Sequence, residues 1–141
     1  MNIDRERAKH ALEIVERLEK EGTIKKYVSY VKSLPATILQ NGLGQAMATL
    51  LAASKGDDDD HKRLYLHIEE WLCKKNKHSP YCGSDLSIKN GKPNLMQAIT
   101  HHNEPEYIQA QAEAMAYLEW LKKFAVAYLS DPEESGGGRE G

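Results

Sequence analysis

The sequence predicts an all-α protein, a single-domain compact helical bundle of about six helices with no sheet. Over long segments, apolar residues recur at the three- and four-residue spacing of amphipathic helices. No segment alternates apolar and polar residues over a useful length, as a half-buried strand would. The 141 residues are enough to bury one core without the help of a metal or disulfides.

The first two helices are predicted on either side of Gly22. Residues 3–20 carry an apolar stripe and end at this glycine, and a second helix begins near Thr23. Proline is tolerated in the first turn of a helix, so Pro35 predicts a new helix through Gln40 with Ser33 as its N-cap.

A corner is predicted at Asn41-Gly42, where a helix ends with Gly42 in the left-handed conformation. Gly44 lets the backbone restart, and a mostly buried apolar helix follows from Gln45 to Ala52. The alternative is one continuous helix whose glycines admit a close neighbour.

The second half of the chain predicts three further helices separated by loops. The run KGDDDD at 55–60 is a solvated break whose last aspartate, Asp60, caps a helix over 61–75. Residues 76–94 predict a long surface loop, followed by a short helix over 95–100. Asn103, Pro105 and Glu106 predict the start of a long helix.

One helical domain is therefore expected over residues 1–130, and residues 131–141 are expected to be a disordered tail. The predicted core takes one or two apolar residues from each long helix: Val15, Leu18, Val31, Ile38, Leu51, Ile68, Trp71, Leu118 and Leu121.

The charge distribution excludes a free, strongly basic nucleic-acid-binding domain. The net charge is −2 and the pI is about 6.3, whereas such domains have a pI above about 9. The charge is uneven, since residues 1–56 are net basic and residues 104–141 are net acidic. No apolar run of about 18 residues occurs, so a cytoplasmic protein without a membrane segment is expected.

A metal site and an enzyme are alternative interpretations of the sequence. Cys73, His78 and Cys82 lie close in sequence, but their spacing matches no common zinc motif. Buried packing for Cys73 and solvent exposure for the histidines are the preferred interpretation, so we expect no metal and no cofactor. No common hydrolase or nucleotide-binding motif occurs, which makes an enzyme the minority interpretation.

Two further ion-binding interpretations are disfavoured. His101 and His102 beside Glu104 and Glu106 resemble part of a metal-dependent nuclease site, but nothing positions a substrate phosphate. The run of aspartates at 57–60 lacks the glycine and the terminal glutamate of a calcium-binding loop.

A basic helix face is predicted near residue 30. Lys25, Ser29 and Lys32 share a face at spacings of four and three, with Lys26 and Tyr30 adjacent. Cations, a hydroxyl and an aromatic ring suit a phosphodiester backbone. A solvated helix face is the alternative.

Three segments together resemble one protein family. They are RAKHALEIVE at 7–16, YVSYVKSLPATILQNGLGQAMATLLA at 27–52 and AEAMAYLEWLKKFAVAYL at 112–129. They are similar to the small α-helical subunit of the type III-B CRISPR (Cmr) effector complex, the fifth Cmr protein. Residues 55–95 carry little of the resemblance.

The resemblance implies a noncatalytic subunit in an antiviral, RNA-guided ribonucleoprotein. Several copies would stack head to tail as a minor filament, beside the backbone and large Cmr subunits. Together these filaments would line the groove where crRNA and target RNA pair, without contact with a membrane. Base pairing would read the sequence, and protein would supply shape and charge. A metal-binding enzyme and a generic helical adaptor remain the alternatives.

The resemblance also implies roles for three sets of residues. The RNA-facing set is Lys25, Lys26 and Lys32. The subunit-junction set is Asn41, Gly42, Gly44 and Gln45. The set assigned to core packing or to a subunit interface is Trp120, Leu121 and Phe124.

Overall fold

A computed structural model of the chain describes residues 2–22, 25–83, 88–89 and 92–129. The predicted all-α class is confirmed. Within these residues the structure has five α-helices, and its other elements are short. The helices are α1 (Ile3–Glu21), α2 (Lys25–Ala53), α3 (Asp60–Glu70), α4 (Leu95–His101) and α5 (Glu104–Leu129).

Helix α1 begins and ends where its sequence predicts. The side chain of Asn2 accepts a hydrogen bond from the backbone N–H of Asp4 at 2.8 Å, which caps the N-terminus. Gly22 follows the last turn with a φ of 92°, in the region that favours glycine. The predicted start of the next helix at Thr23 lies outside the described residues.

The predicted helix boundary at Ser33 is wrong, because α2 runs through Pro35 without a break. The Ser33 hydroxyl donates to the carbonyl of Tyr30 at 3.2 Å instead of capping a new helix. Pro35 supplies no N–H and so removes one helical hydrogen bond. The buried side chains of Leu34 and Ile38 hold the helix against the core on either side of that missing bond.

Helix α2 bends at Gly42, the one residue within it that has non-helical angles. Its φ of 89° confirms the predicted positive φ, while its ψ of 159° lies away from the left-handed helical region. Such angles are essentially restricted to glycine. Each of the two predicted alternatives for this segment is therefore partly correct. The helix turns a corner, and the glycines admit a close neighbour.

Helix α3 starts one residue earlier than predicted and changes form before it ends. Asp59, and not Asp60, is the N-cap, since its carboxylate accepts the N–H of His61 at 2.7 Å. Residues Trp71–Lys75 form a π-helical turn, closed by the N–H of Asn76 on the carbonyl of Trp71 at 2.9 Å.

Within the described residues of the expected loop after residue 76, the structure adds only one minimal antiparallel pair of strands to the all-α fold. Strands β1 (Ile88–Lys89) and β2 (Lys92–Pro93) form a two-residue antiparallel pair. Helices α4 and α5 lie as predicted. Asn103 caps α5 by accepting the N–H of Glu106 at 2.9 Å. The expected tail at 131–141 lies outside the described residues.

The core lies between α1, α2, α3 and α5. Of the predicted core, Leu51 is only partly buried, and the other eight residues are buried. Tyr128, in the last turn of α5, is 55% exposed. None of the described helices has both the length and the apolar character needed to cross a bilayer.

Candidate nucleic-acid and subunit interface

The predicted basic face lies on the first half of α2. Lys26 and Lys32 are exposed, because Tyr27 and Val31 take the opposite side of the helix into the core. Neither lysine makes an ion pair with any residue that the structure describes. Lys25 belongs to the same helix, but its side chain lies outside the described part of the chain. The face therefore presents two cations, Lys26 and Lys32, that no described residue neutralises.

Tyr30, the aromatic residue beside this face, has a partner within the chain. Its ring stacks on the imidazole of His61, with ring centroids 3.9 Å apart and planes 18° from parallel. Asp59 holds that imidazole through a 2.8 Å contact with Nδ1. One side of the Tyr30 ring is thus covered, which leaves less of it for a base to stack on.

The predicted subunit junction divides into two exposed and two inward-facing residues. Asn41 and Gln45 are exposed. A Cβ added at Gly42 would lie 3.1 Å from the hydroxyl of Tyr107, and one added at Gly44 would lie 3.4 Å from a methyl group of Ile99. The two glycines therefore allow α4 and α5 to approach α2 closely.

Side chains of α5 satisfy the backbone where α2 restarts. The N–H of Leu43 donates to Oε1 of Gln111 at 2.8 Å, and the N–H of Gly44 donates to the hydroxyl of Tyr107 at 2.8 Å. The change of direction at Gly42 leaves these donors without helical acceptors. The bend and α5 are consequently one structural unit.

The C-terminal set has one core residue and two residues near the surface. Leu121 is fully buried. Trp120 is partly buried, and its indole N–H donates to Oδ1 of Asp4 at 3.0 Å. Phe124 packs next to it, with ring centroids 5.7 Å apart. The tryptophan ring thus ties α5 to the start of α1 and keeps part of its surface outside the core.

A buried histidine that sequence reasoning missed lies at the centre of a polar network. His10 is only 3% exposed. Its Nδ1 lies 2.6 Å from the hydroxyl of Tyr117, and its Nε2 lies 2.7 Å from a carboxylate oxygen of Glu70. Hydrogen bonds from His10 and Arg17 hold the pKa of Glu70 well below its usual range.

This histidine and carboxylate resemble a catalytic pair in composition, but their burial leaves no room for a substrate at either ring nitrogen. The one available sequence signal was position, since His10 lies next to the apolar stripe of α1. The network instead joins α1, α3 and α5 through groups that all have partners.

A second network links Arg7, Glu113 and Trp71. The Arg7 guanidinium donates two bonds of 2.8 Å to the carboxylate of Glu113, which also accepts the indole N–H of Trp71 at 2.9 Å. A cavity of about 200 Å³ lies over this pair and is also lined by His78 and Gln109. The two charged groups of its lining, Arg7 and Glu113, pair with each other.

The cysteines and histidines that are candidate metal ligands by sequence do not form a metal site in the described part of the chain. No group of three or more His, Cys, Asp or Glu side chains there is placed to hold an ion. Both cysteines are free thiols, and burial raises the pKa of the Cys73 thiol to about 12. His67 is partly buried, contrary to the exposed position expected of the histidines, and burial lowers its pKa to about 3.

Comparison with known protein families identifies the family to which this chain belongs. Residues 3–128 match the model of one family of CRISPR-associated proteins, Cas_Cmr5. The match covers every described helix but for the last residue of α5. It includes the basic face, the bend at Gly42 and the C-terminal aromatic residues. The chain belongs to the Cas_Cmr5 family and is a Cmr5 subunit of the type III-B CRISPR complex.

Proposed function

We propose that this chain is a noncatalytic structural subunit, and that several copies stack head to tail as a minor filament that lines the groove for crRNA and target RNA. The family supports association with other Cmr subunits. The basic face on α2 is the observation that carries the RNA-facing part of this proposal. Lys26 and Lys32 are exposed and without ion pairs among the described residues.

A basic face of this size is too weak to bind RNA tightly in a single copy. Each lysine contributes one charge, and the net charge of the chain is −2. Repetition along one RNA changes this, since linked weak sites bind with an affinity far above that of each site. The proposed role is therefore one that the chain performs only within an assembly.

The exposed parts of the junction set give the stacking proposal its candidate contacts. Gly42 and Gly44 make their close contacts within the chain, with Tyr107 and Ile99. Asn41 and Gln45 remain exposed at the bend and are the members of the set that a neighbouring subunit can reach. Trp120 and Phe124 are both partly buried. They are candidates for the same role in the C-terminal segment that carries the family resemblance.

The experiment changes Lys25, Lys26 and Lys32 together to glutamate and measures target-RNA binding by the reconstituted complex over a salt series. We expect the free chain to stay folded, since exposed substitutions usually change stability by less than about 0.5 kcal/mol. Affinity should fall, and its dependence on log salt should flatten by roughly 0.7 for each lost phosphate contact.

The matched control changes Lys9, Lys20 and Lys55 to glutamate, because these lysines are also exposed and the charge change is identical. Both complexes are compared at equal incorporation of the subunit. If the two triple variants lower the affinity equally, the α2 face has no special part in RNA binding. Failure of the unaltered chain to enter the complex would reject the structural role itself.

A further inference from the structure

A second group of basic residues lies at the end of the π-helical turn that follows α3, across the boundary between the predicted helix over 61–75 and the predicted loop over 76–94. Lys74, Lys75, Lys77 and His78 fall within five residues and are all exposed. We call these four residues the α3-end cluster. It is formed by the π-helical turn and the residues that follow it.

The π-helical turn explains why the cluster is displayed. It buries three consecutive residues, Trp71, Leu72 and Cys73, and turns the next two outward. Such turns occur often at functional sites. Here the wide turn anchors one side of the chain firmly in the core while Lys74 and Lys75 face solvent.

Asn76 holds the rest of the cluster in place. It is only 2% exposed. Its side-chain oxygen accepts the N–H of His78 at 2.9 Å, and its backbone carbonyl accepts the N–H of Ser79 at 3.0 Å. The chain therefore reverses around a buried asparagine. Lys77 and His78 project from backbone that is already ordered, so binding there costs little backbone entropy.

The cluster has no acidic partner in the part of the chain that the structure describes. None of its three lysines makes an ion pair there. The carboxylates nearest to the cluster in sequence already bind other residues. Glu69 accepts the hydroxyl of Tyr65 at 2.9 Å and the N–H of Leu95 at 2.7 Å, and Glu70 binds His10 and Arg17.

Stabilisation of the helix terminus explains only part of this arrangement. Cations in the last turn of a helix interact favourably with its carbonyl groups, and the effect falls off within that turn. Lys74 and Lys75 satisfy this condition. Lys77 and His78 lie beyond the helix end at Lys75, so two of the four residues need another explanation.

We propose that the α3-end cluster is a second phosphate-binding surface, which contacts an RNA backbone independently of the face on α2. Lysine ammonium groups bind phosphate as point charges and do not read base edges. The surface is thus a sequence-independent contact. The choice of RNA as the polyanion rests on the proposed function, whereas the surface itself rests on the geometry of the π-helical turn.

The test uses the full chain and a fluorescein-labelled, single-stranded RNA of 20 nucleotides, with binding measured by fluorescence anisotropy between 25 and 200 mM salt. K74Q/K75Q/K77Q is compared with the control K9Q/K20Q/K55Q, which removes three exposed charges elsewhere. We expect the cluster variant to bind roughly tenfold more weakly at the lowest salt. Its log–log salt slope should be smaller by roughly 0.7 for each lost contact.

Equal affinities and slopes for the two triple variants would overturn the proposal. Displacement of the RNA by poly-L-glutamate at equal charge concentration, as effectively as by unlabelled RNA, would instead assign the cluster to an acidic polypeptide and overturn the RNA assignment. Circular dichroism verifies folding of each variant. If the triple variant is unfolded, K77Q decides, because Lys77 lies beyond the helix and its loss should still lower the slope.

These outcomes are separable from those of the proposed function. The anisotropy assay needs no other subunit, so it reports on the cluster even if the chain fails to enter a complex. Conversely, a complex that incorporates the chain normally and loses RNA affinity only in the Lys25, Lys26 and Lys32 triple variant would leave the proposed function standing while the cluster proposal fails.

Discussion

The hydroxyl of Tyr107 lies directly over the bend in α2, where it accepts the N–H of Gly44 at 2.8 Å. The same oxygen would be 3.1 Å from a Cβ at Gly42. The Tyr107 side chain thus needs a residue without a Cβ at position 42. It also accepts the backbone N–H of Gly44, which the bend leaves without a helical acceptor. The conformation of α2 and the position of α5 are therefore mutually dependent.

Gly42→Ala should destabilise the fold by about 1–3 kcal/mol, because alanine strongly disfavours a φ of 89° with extended ψ. The contact with Tyr107 adds to this cost. Gly22→Ala is the matched control, since Gly22 also has a positive φ but has open space where its Cβ would lie. Urea unfolding measures both. Equal losses would mean that the approach of Tyr107 contributes nothing.

Tyr107→Phe should cost about 1 kcal/mol, because it removes the acceptor of the Gly44 N–H and leaves that donor poorly satisfied. Tyr128→Phe, at a position 55% exposed, controls for the loss of a phenol and should change stability by less than about 0.5 kcal/mol. A Tyr107→Phe variant as stable as the control would show that water replaces the hydroxyl without loss.

Trp71→Ala should cost about 3–5 kcal/mol, as expected for a buried tryptophan, because its ring stacks on Tyr117 and its N–H binds Glu113. Trp120→Ala should cost less, since its ring is only partly buried. Thermal or chemical unfolding ranks the two. A stable Trp120→Ala monomer that no longer enters the complex would assign this ring to a subunit interface.

Stability should fall with decreasing pH from about 6.5, because burial lowers the pKa of His67 to about 3 while the unfolded histidine keeps a value near 6.5. The unfolded state then binds the extra proton, so the free energy of unfolding rises with pH in this window. The folded ring lies 2.7 Å from the Tyr27 hydroxyl, with the charges of Glu70, Arg17 and Arg63 near it.

The measurement is urea unfolding at pH 7.0, 6.0 and 5.0 for the natural chain and for His67→Gln. This window lies above the range in which Glu70 loses its contribution, since Glu70 is protonated only below its unfolded pKa. The variant should show the smaller dependence on pH. Identical slopes would contradict the assignment to His67.

Cys82 should react with iodoacetamide at pH 8 well before Cys73 does. Burial raises the pKa of the Cys73 thiol to about 12 and keeps the thiolate from forming, whereas Cys82 is only partly buried. Mass spectrometry of labelled peptides follows each site, and both should react at once in denaturant. Rapid labelling of Cys73 in the folded chain would show that the π-helical turn opens readily.

The helical class and most of the core were predictable because they depend on local periodicity. The stripe on α1 and the start of α5 at Asn103 follow from spacing and capping chemistry, which neighbouring residues determine. The family resemblance also lay in local segments. The exposure of Lys26 and Lys32 could be predicted in the same way, since a helix with one buried face must expose the other.

The sequence by itself thus determined which segments become helices, which of their faces are buried and to which family the chain belongs. Tertiary structure alone decided that α2 continues through Pro35, because packing on both sides outweighs one missing hydrogen bond. It also placed His10 among Tyr117 and Glu70 and Tyr107 over Gly42. These contacts join residues more than 50 positions apart, and local patterns carry no information about such pairs.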